Sequence, residues 1–497
     1  MTSLQTIKIN FRGGIVSPGE LYSILAAAEK SKITSASIGL RQQLLLKVNI
    51  EEYLNFSRQL QLLNVSFETG SEQFPNVVSS YPAEEIFITQ TWLSEGVYKD
   101  IFDLMDYKPQ LKVNISDSNQ SFTPLLTGNI NWVASLHSPH FWHLFIRFPK
   151  TNIIYEWKQL VYTNDVAKVS KDVEEIIIHN PERFYDNSNA SGDELFEQLK
   201  TGNYITQPAR QAPVLPAFTL PYYEGLNRYN DKYWIGIYKR DEQFSLDFLK
   251  DICRLCLETK IGQLCSTPWK SLIIKSISEK DKPYWNALLA KHKVNMRHAA
   301  NELNFQVEDD CAEGLQLKKY LVKHLNKTDT RTFGICIGIK TRRKSEVFSS
   351  ILVRRKPLFS IAGRGFFYLY DILCAHEFNP NERTGSVFSR NNPKFFLAEQ
   401  LRRAIFSFYA HYHESQEKVT AMTRNETHVP AKKVNGYVQQ CSHCFSVYDE
   451  KYGDMESGIL PGTKFKDLPE TYSCALCEAP KNEFKPIDQQ LLGLQTV

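Results

Sequence analysis

A chain of 497 residues is too long for one core, and at roughly one domain per 150 residues it implies three or four units. With 42% hydrophobic and 23% charged residues it reads as an ordinary globular protein, neither disordered nor fibrous. A net charge of +4 and the lack of any run of 18 apolar residues leave no expectation of a nucleic-acid partner or a membrane span. Ten cysteines, four of them in tight pairs and six scattered, suit a reducing cytoplasm better than a disulfide framework.

The opening, MTSLQTIKINFRGG, has no basic end followed by an apolar run, so no secretory leader is expected. Residues 17–48 align without gaps onto 245–276, an offset of 228. Ser17/Ser245, Leu21/Leu249, Ile24/Ile252, Lys32/Lys260, Ile33/Ile261, Leu44/Leu272 and Lys47/Lys275 are identical. In each copy an extended stretch (TIKINF, YWIGIY) leads into an amphipathic helix and then an apolar strand (LLLKV, SLIIKSI), with a second helix after it. This pattern predicts a duplicated α+β unit, two halves of about 230 residues ahead of the C-terminal segment.

Between and within the halves, His137, His140 and His143 stand three apart, a spacing that suits a metal on a helix. Pro139 interrupts them and the flanks read as strands, where that spacing turns the rings to opposite faces, so no metal role is expected. Residues 207–223 are rich in proline and aromatics and predict an extended strap that crosses the body. Cys253 and Cys256 fall on a helical pattern as packed thiols, and Gly363-Arg-Gly365 is too short for a phosphate loop. Basic clusters at Lys340, Arg342, Arg343, Lys344 and at Arg354, Arg355, Lys356 are candidates for an anionic ligand or partner. Residues 415–435 are polar and predict a flexible tether with a span of about 25 Å.

The last sixty residues hold Cys441-Ser-His-Cys444 and Cys474-Ala-Leu-Cys477. Each CxxC lets two sulfurs converge on one ion from a tight turn, and two such turns complete a tetrahedral S4 shell. That shell suits zinc or iron. The 29 residues between the pairs exceed the zinc-ribbon spacing of roughly 15–20, which argues against a zinc ribbon.

The segment 437–484 closely resembles rubredoxin in its CSHC, YDE, GD, GI, PGTKF, LP, CALC and APKNEF elements. The resemblance implies one iron ion, Fe2+ or Fe3+, held by Cys441, Cys444, Cys474 and Cys477 and passing single electrons. It also implies an aromatic core of Tyr437, Tyr448, Phe465, Tyr472 and Phe484 beside the metal. Rubredoxins usually carry glycine just after the second cysteine of each knuckle; this chain has Phe445 and Glu478. At positive φ each would cost on the order of 1 kcal/mol and alter the hydrogen bonds that help set an iron–sulfur potential.

The strings SIGLRQQLLL and STPWKSLIIKSI, with PQLKVNISDSNQ, resemble the siroheme nitrite and sulfite reductases. In that family two ferredoxin-like half-domains pair across a pseudo-two-fold axis, each followed by an α/β domain. The implied architecture is α+β: duplicated ferredoxin-like half-domains with α/β inserts, plus a small metal-bound rubredoxin fold. The implied order is half-domain 1–75, α/β domain 76–206, connector 207–230, half-domain 231–306, α/β domain 307–420, linker 421–435 and rubredoxin domain 436–490.

The family's cofactor residues are largely missing. Its R-x-T-x-x-Q pattern survives only as Arg41 and Gln42 in the first copy and Thr267 in the second. No two cysteines stand at the C-x5-C or C-x3-C spacing that holds its [4Fe–4S] cluster, so no such cluster is expected. Siroheme carries eight carboxylates and needs several cations; Arg41, Lys270, Arg342, Arg343, Arg354 and Arg355 are the candidates, and siroheme itself is not expected.

The resemblances together imply a cytoplasmic electron carrier with no catalytic side chain of its own, rather than a self-contained oxidoreductase. It would work between an upstream reductase and an acceptor such as nitrate or nitrite reductase, in assimilatory nitrate/nitrite or sulfite reduction. Residues 436–490 carry nine acids against five lysines, net −4, which leaves +8 on the rest and suits docking by complementary fields. The alternatives are a siroheme oxidoreductase with a built-in rubredoxin donor and a non-redox assembly protein with a zinc-filled knuckle.

Overall fold

The computed structural model describes residues 4–70, 73–88, 91–213, 215–295, 300–342, 347–361, 364–382, 385–426, 437–444, 446–450, 453–454, 457–460, 462–475 and 477–488. They fall into two units, 1–412 and 413–497.

In the first unit the repeat in sequence is a repeat in structure. Strands Leu4–Ile9 and Lys232–Ile237, helices Pro18–Lys30 and Leu246–Glu258, and strands Leu44–Asn49 and Leu272–Ile277 correspond end to end at an offset of 228. The caps repeat too: the Ser17 hydroxyl accepts from Glu20 N–H and the Ser245 hydroxyl from Phe248 N–H, each satisfying an orphan donor of the first turn. Lys32 and Lys260 end the helices in left-handed conformation, with φ of 58° and 59°. Gln42 and Lys270 also match, at 62° and 57°, in turns closed by Gly39 N–H to Gln43 O (2.8 Å) and Thr267 N–H to Ser271 O (3.0 Å).

The two copies are interlocked. Strand Ile15–Val16 leaves its own half to pair with Leu264–Ser266, and Phe244–Ser245 pairs with Ser35–Ile38 of the other half. Each copy therefore lends a strand to its twin, covering an edge that would otherwise expose unpaired backbone. Helices Pro18–Lys30 and Leu246–Glu258 pack together. One core takes Ile24, Leu25, Ile38 and Leu46 from the first copy and Ile252, Leu264, Leu272 and Ile274 from the second.

An α/β sheet follows each copy. The first runs Thr206–Pro208, Tyr155–Tyr162, Phe141–Ile146, Ile130–Ala134, Val113–Ser116, Val78–Ser79; its last three strands are mutually parallel and the other pairings antiparallel. The second runs Phe305–Val307, Ile337–Lys340, Ile351–Ile361, Arg364–Ala375, Gly385–Asn392, with its first two pairings parallel and its last two antiparallel. Both sheets thus share one mixed topology. Trp132, Trp142, Tyr81, Tyr98 and Phe122 fill the core of the first, and Leu397, Leu401 and Ile405 of helix Lys394–Glu426 cover the second.

The segment 207–223 lies across the body as its aromatics demand: Phe218, Leu220 and Tyr223 are buried, and Leu220 N–H donates to Gly334 O at 3.0 Å. The stretch read as a flexible tether from 415 is instead helical as far as Glu426. It holds no glycine, and its first proline is Pro430, so nothing in it breaks the preceding helix. Residues 427–435, with Lys432 and Lys433, lie outside the described residues. Among the described residues no helix is long and apolar enough to cross a membrane.

His137 and His140 are exposed in the turn before strand Phe141–Ile146, while His143 on that strand is buried, so the three do not converge. Cys253 and Cys256 are wholly buried in their helix. Burial pushes the Cys253 thiol up to about 12, leaving it unreactive. Gly363 lies outside the described residues.

Candidate metal centre

The second unit is built on a three-stranded antiparallel sheet ordered Val447–Tyr448, Tyr437–Cys441, Phe484–Asp488. So short a segment has little apolar surface to bury, and what it has is aromatic. Tyr448, Tyr472 and Phe484 are buried around a half-buried Phe465, with ring centroids 5.3–6.4 Å apart in tilted and edge-on contacts. The phenols find partners at the rim: Tyr448 donates to Thr463 O at 2.8 Å and Tyr472 to Asp454 Oδ2 at 3.0 Å. Gly453, at φ 67°, is required, because a Cβ there would lie 2.6 Å from Ile459 O. The backbone alone of Tyr437 is described, and Phe445 lies outside the described residues.

Each CxxC sits in a tight turn of the same design. Cys441 N–H donates to Ser446 O and Cys474 N–H to Ala479 O, both at 2.8 Å. Hydrogen bonds from the side chain and backbone of Ser446 hold the Cys444 thiol below its ordinary value. Glu478 adopts φ 58°, the left-handed conformation for which rubredoxins use glycine, and its N–H donates to Cys474 O at 2.8 Å.

The two turns bring four sulfurs together. Cys441 Sγ lies 3.6 Å from Cys477 Sγ, Cys444 Sγ lies 3.5 Å from Cys474 Sγ, and all four are within 4.8 Å of one another. A tetrahedral ion with metal–sulfur bonds of about 2.3 Å needs sulfur–sulfur edges of about 3.8 Å. The four thiols, with two edges near that length, make a donor set of the kind that holds an iron ion. The first cysteine of each pair is buried, whereas Cys444 is half-buried and Cys477 exposed, so one edge of the sulfur cage reaches the surface.

The described cations proposed for a tetrapyrrole each meet acceptors of the protein itself, and two of them, Lys270 and Arg342, meet at Asp309. Arg41 is buried, with Nη2 donating to Asn76 O at 2.7 Å and Val113 O at 3.1 Å. Lys270 is buried in an ion cluster, 2.9 Å from Glu242 and 3.3 Å from Asp309. Lys318 reaches the same Glu242 at 3.1 Å; burial would raise this carboxyl, but the two ammonium groups hold it below its ordinary value. Arg342 donates to Asp309 O and Asp310 O, Arg354 pairs with Asp371 and Arg355 with Glu313. Arg343 lies outside the described residues. As placed, the described members of this set answer the protein's own acceptors.

Two features escaped sequence reasoning. The buried Glu242–Lys270–Lys318 cluster, with half-buried Asp309 at its edge, joins residues far apart in the chain, which no local pattern marks. Ser446 also stands beside the cage; the sequence places serine there in one knuckle and Ala479 in the other, one of four differences between them, and nothing local marks it as the one that faces sulfur.

Comparison with known proteins agrees with this geometry. The rubredoxin family profile matches residues 438–484. The chain is 40% identical over 83 residues to the high molecular weight rubredoxin of Moorella thermoacetica, spanning 16% of this chain and 36% of that protein. It is 51% identical over 49 residues to the probable rubredoxin-2 of Methanocaldococcus jannaschii, 10% of this chain and 87% of that one. The fold of the solved Mycobacterium tuberculosis NirA protein superimposes with a TM-score of 0.61 at 15% identity, over 82% of this chain and 81% of the other. At that identity the likeness is one of fold alone. Through its C-terminal segment, with its four converging cysteines, this chain belongs to the rubredoxin family.

Proposed function

We propose that the chain is an electron-transfer protein in which Cys441, Cys444, Cys474 and Cys477 hold a single iron ion. The observation that carries this reading is the meeting of four sulfurs at tetrahedral spacing within a rubredoxin segment. Bound there, iron would supply a one-electron couple, ferric to ferrous. The protein's own part is mechanical and electrostatic. Buried Cys441 and Cys474 anchor the cage from inside, and the aromatic core keeps water from its inner face. Cys444 and Cys477, on the outer edge, offer a partner close approach.

The acidic C-terminal segment suits recognition of a redox partner that presents a complementary positive field. The setting we favour is assimilatory nitrate/nitrite or sulfite reduction in the cytoplasm, between an upstream reductase and an acceptor such as nitrate or nitrite reductase. The NirA-like fold supports that setting.

The test is the visible spectrum and metal content of the full chain expressed with iron available. Sulfur-to-iron charge-transfer bands that bleach with dithionite, about one iron per chain and no Soret band are the expected result. A Soret band would assign a tetrapyrrole to the body and turn the reading into a siroheme oxidoreductase with its own donor. Stoichiometric zinc and no colour would overturn electron transfer altogether.

A further inference from the structure

The two knuckles share the hydrogen bond from their first cysteine N–H but differ in side chains, one of which lies against the sulfurs. Five residues after its first cysteine, one knuckle carries Ser446 and the other Ala479. The Ser446 hydroxyl reaches across to the opposite knuckle, its Oγ 3.0 Å from Cys474 Sγ and 3.2 Å from Cys444 Sγ. When four cysteines ligate a metal all four are thiolates, and a thiolate has no proton to give. The hydrogen bond can then run one way only, with Ser446 O–H donating and sulfur accepting. Cys474 is 2% exposed, so water has little access to replace this donor.

We propose that Ser446 is a positioning residue that sets the reduction potential of the site through the nearer sulfur, Cys474 Sγ. The inference rests on the iron reading above. One electron from a reduced partner protein takes Fe3+ with four thiolates, net charge −1, to Fe2+ with four thiolates, net charge −2. The added charge spreads onto sulfur, and a charge-assisted hydrogen bond strengthens as its acceptor becomes more negative. A hydroxyl donor therefore favours the ferrous form and raises the potential. The second knuckle shows that a methyl side chain is accommodated at this position, so Ser446→Ala removes the donor and keeps the turn closed by Cys441 N–H.

The experiment is a spectroelectrochemical titration of the full iron-loaded chain as wild type, Ser446→Ala, Ser446→Thr and Ser446→Val. Ser446→Ala is expected to shift the equilibrium about tenfold toward ferric iron, about 59 mV more negative for a one-electron couple. Its ferric charge-transfer bands should move as well. Ser446→Thr, which keeps the hydroxyl, should stay near wild type, and Ser446→Val, of the same shape without it, should follow Ser446→Ala. The Thr–Val pair makes the same comparison if the alanine variant fails to retain iron. Unchanged potentials in iron-loaded variants, or a threonine variant displaced as far as valine, would overturn the role of Ser446 and leave the iron site standing. A wild-type protein that takes up only zinc would overturn the iron reading, and this inference with it.

Discussion

Glu478 sits at φ 58°, where a side chain costs on the order of 1 kcal/mol relative to glycine. The fold tolerates it because the turn is closed on both sides, by Glu478 N–H to Cys474 O and by Cys474 N–H to Ala479 O. Elsewhere, single residues set a dependence on pH. Burial pushes the His143 imidazole below its ordinary value; Glu156, 3.8 Å away, opposes this, while Lys158 and His137 add to it. Unfolding returns the ring to a pKa of about 6.5. Below that pH the unfolded chain binds the proton more readily than the folded one, so the body loses stability as pH falls through this value. His143→Gln should flatten that part of the profile. Urea midpoints of both proteins between about pH 5 and pH 7.5 measure it, and identical slopes would contradict the assignment.

The paired helices behave as one element present twice. Ser17 and Ser245 cap them in the same way, and the two helices pack against each other inside a shared core. Ser17→Ala and Ser245→Ala are each expected to cost about 1 kcal/mol. Because the helices touch, the double variant should depart from the sum of the singles by about 0.5 kcal/mol or more. Chemical denaturation of the three variants gives the answer, and strict additivity would mean that each cap acts on an independent half. The Lys270–Glu242–Lys318 cluster ties the second copy to the helix Ala312–Lys327 that follows it, so these elements too are coupled through buried charge.

Across the whole molecule the two units rest on different forces. The body buries extended apolar cores, whereas the C-terminal unit has a small aromatic cluster and four sulfurs. A domain of that size draws much of its folding free energy from its metal. Stripping iron with acid and a chelator should therefore abolish the thermal transition of the C-terminal unit and leave that of the body in place. Differential scanning calorimetry before and after removal measures this. A body transition lost along with the metal would show that the units fold as one.

Where the chemistry is local, the sequence was sufficient. The four sulfurs meet because each pair sits in its own tight turn, and the sequence of each turn specifies it. The duplicated α+β unit was legible because identical residues and apolar periodicity recur at a constant offset of 228. The exchange of strands Ile15–Val16 and Phe244–Ser245 was not legible, since a short strand carries no mark of which copy will hydrogen-bond it. The fate of the cations was hidden for a related reason. Arg41 and Lys270 read alike as candidates for an anionic ligand, and only the packed structure delivers carbonyls at 76 and 113 to one and carboxylates at 242 and 309 to the other. Local sequence determines what a residue can donate or accept. Which acceptor it meets across tens or hundreds of residues is settled by burial, because a buried charge must be answered by whatever the fold brings beside it.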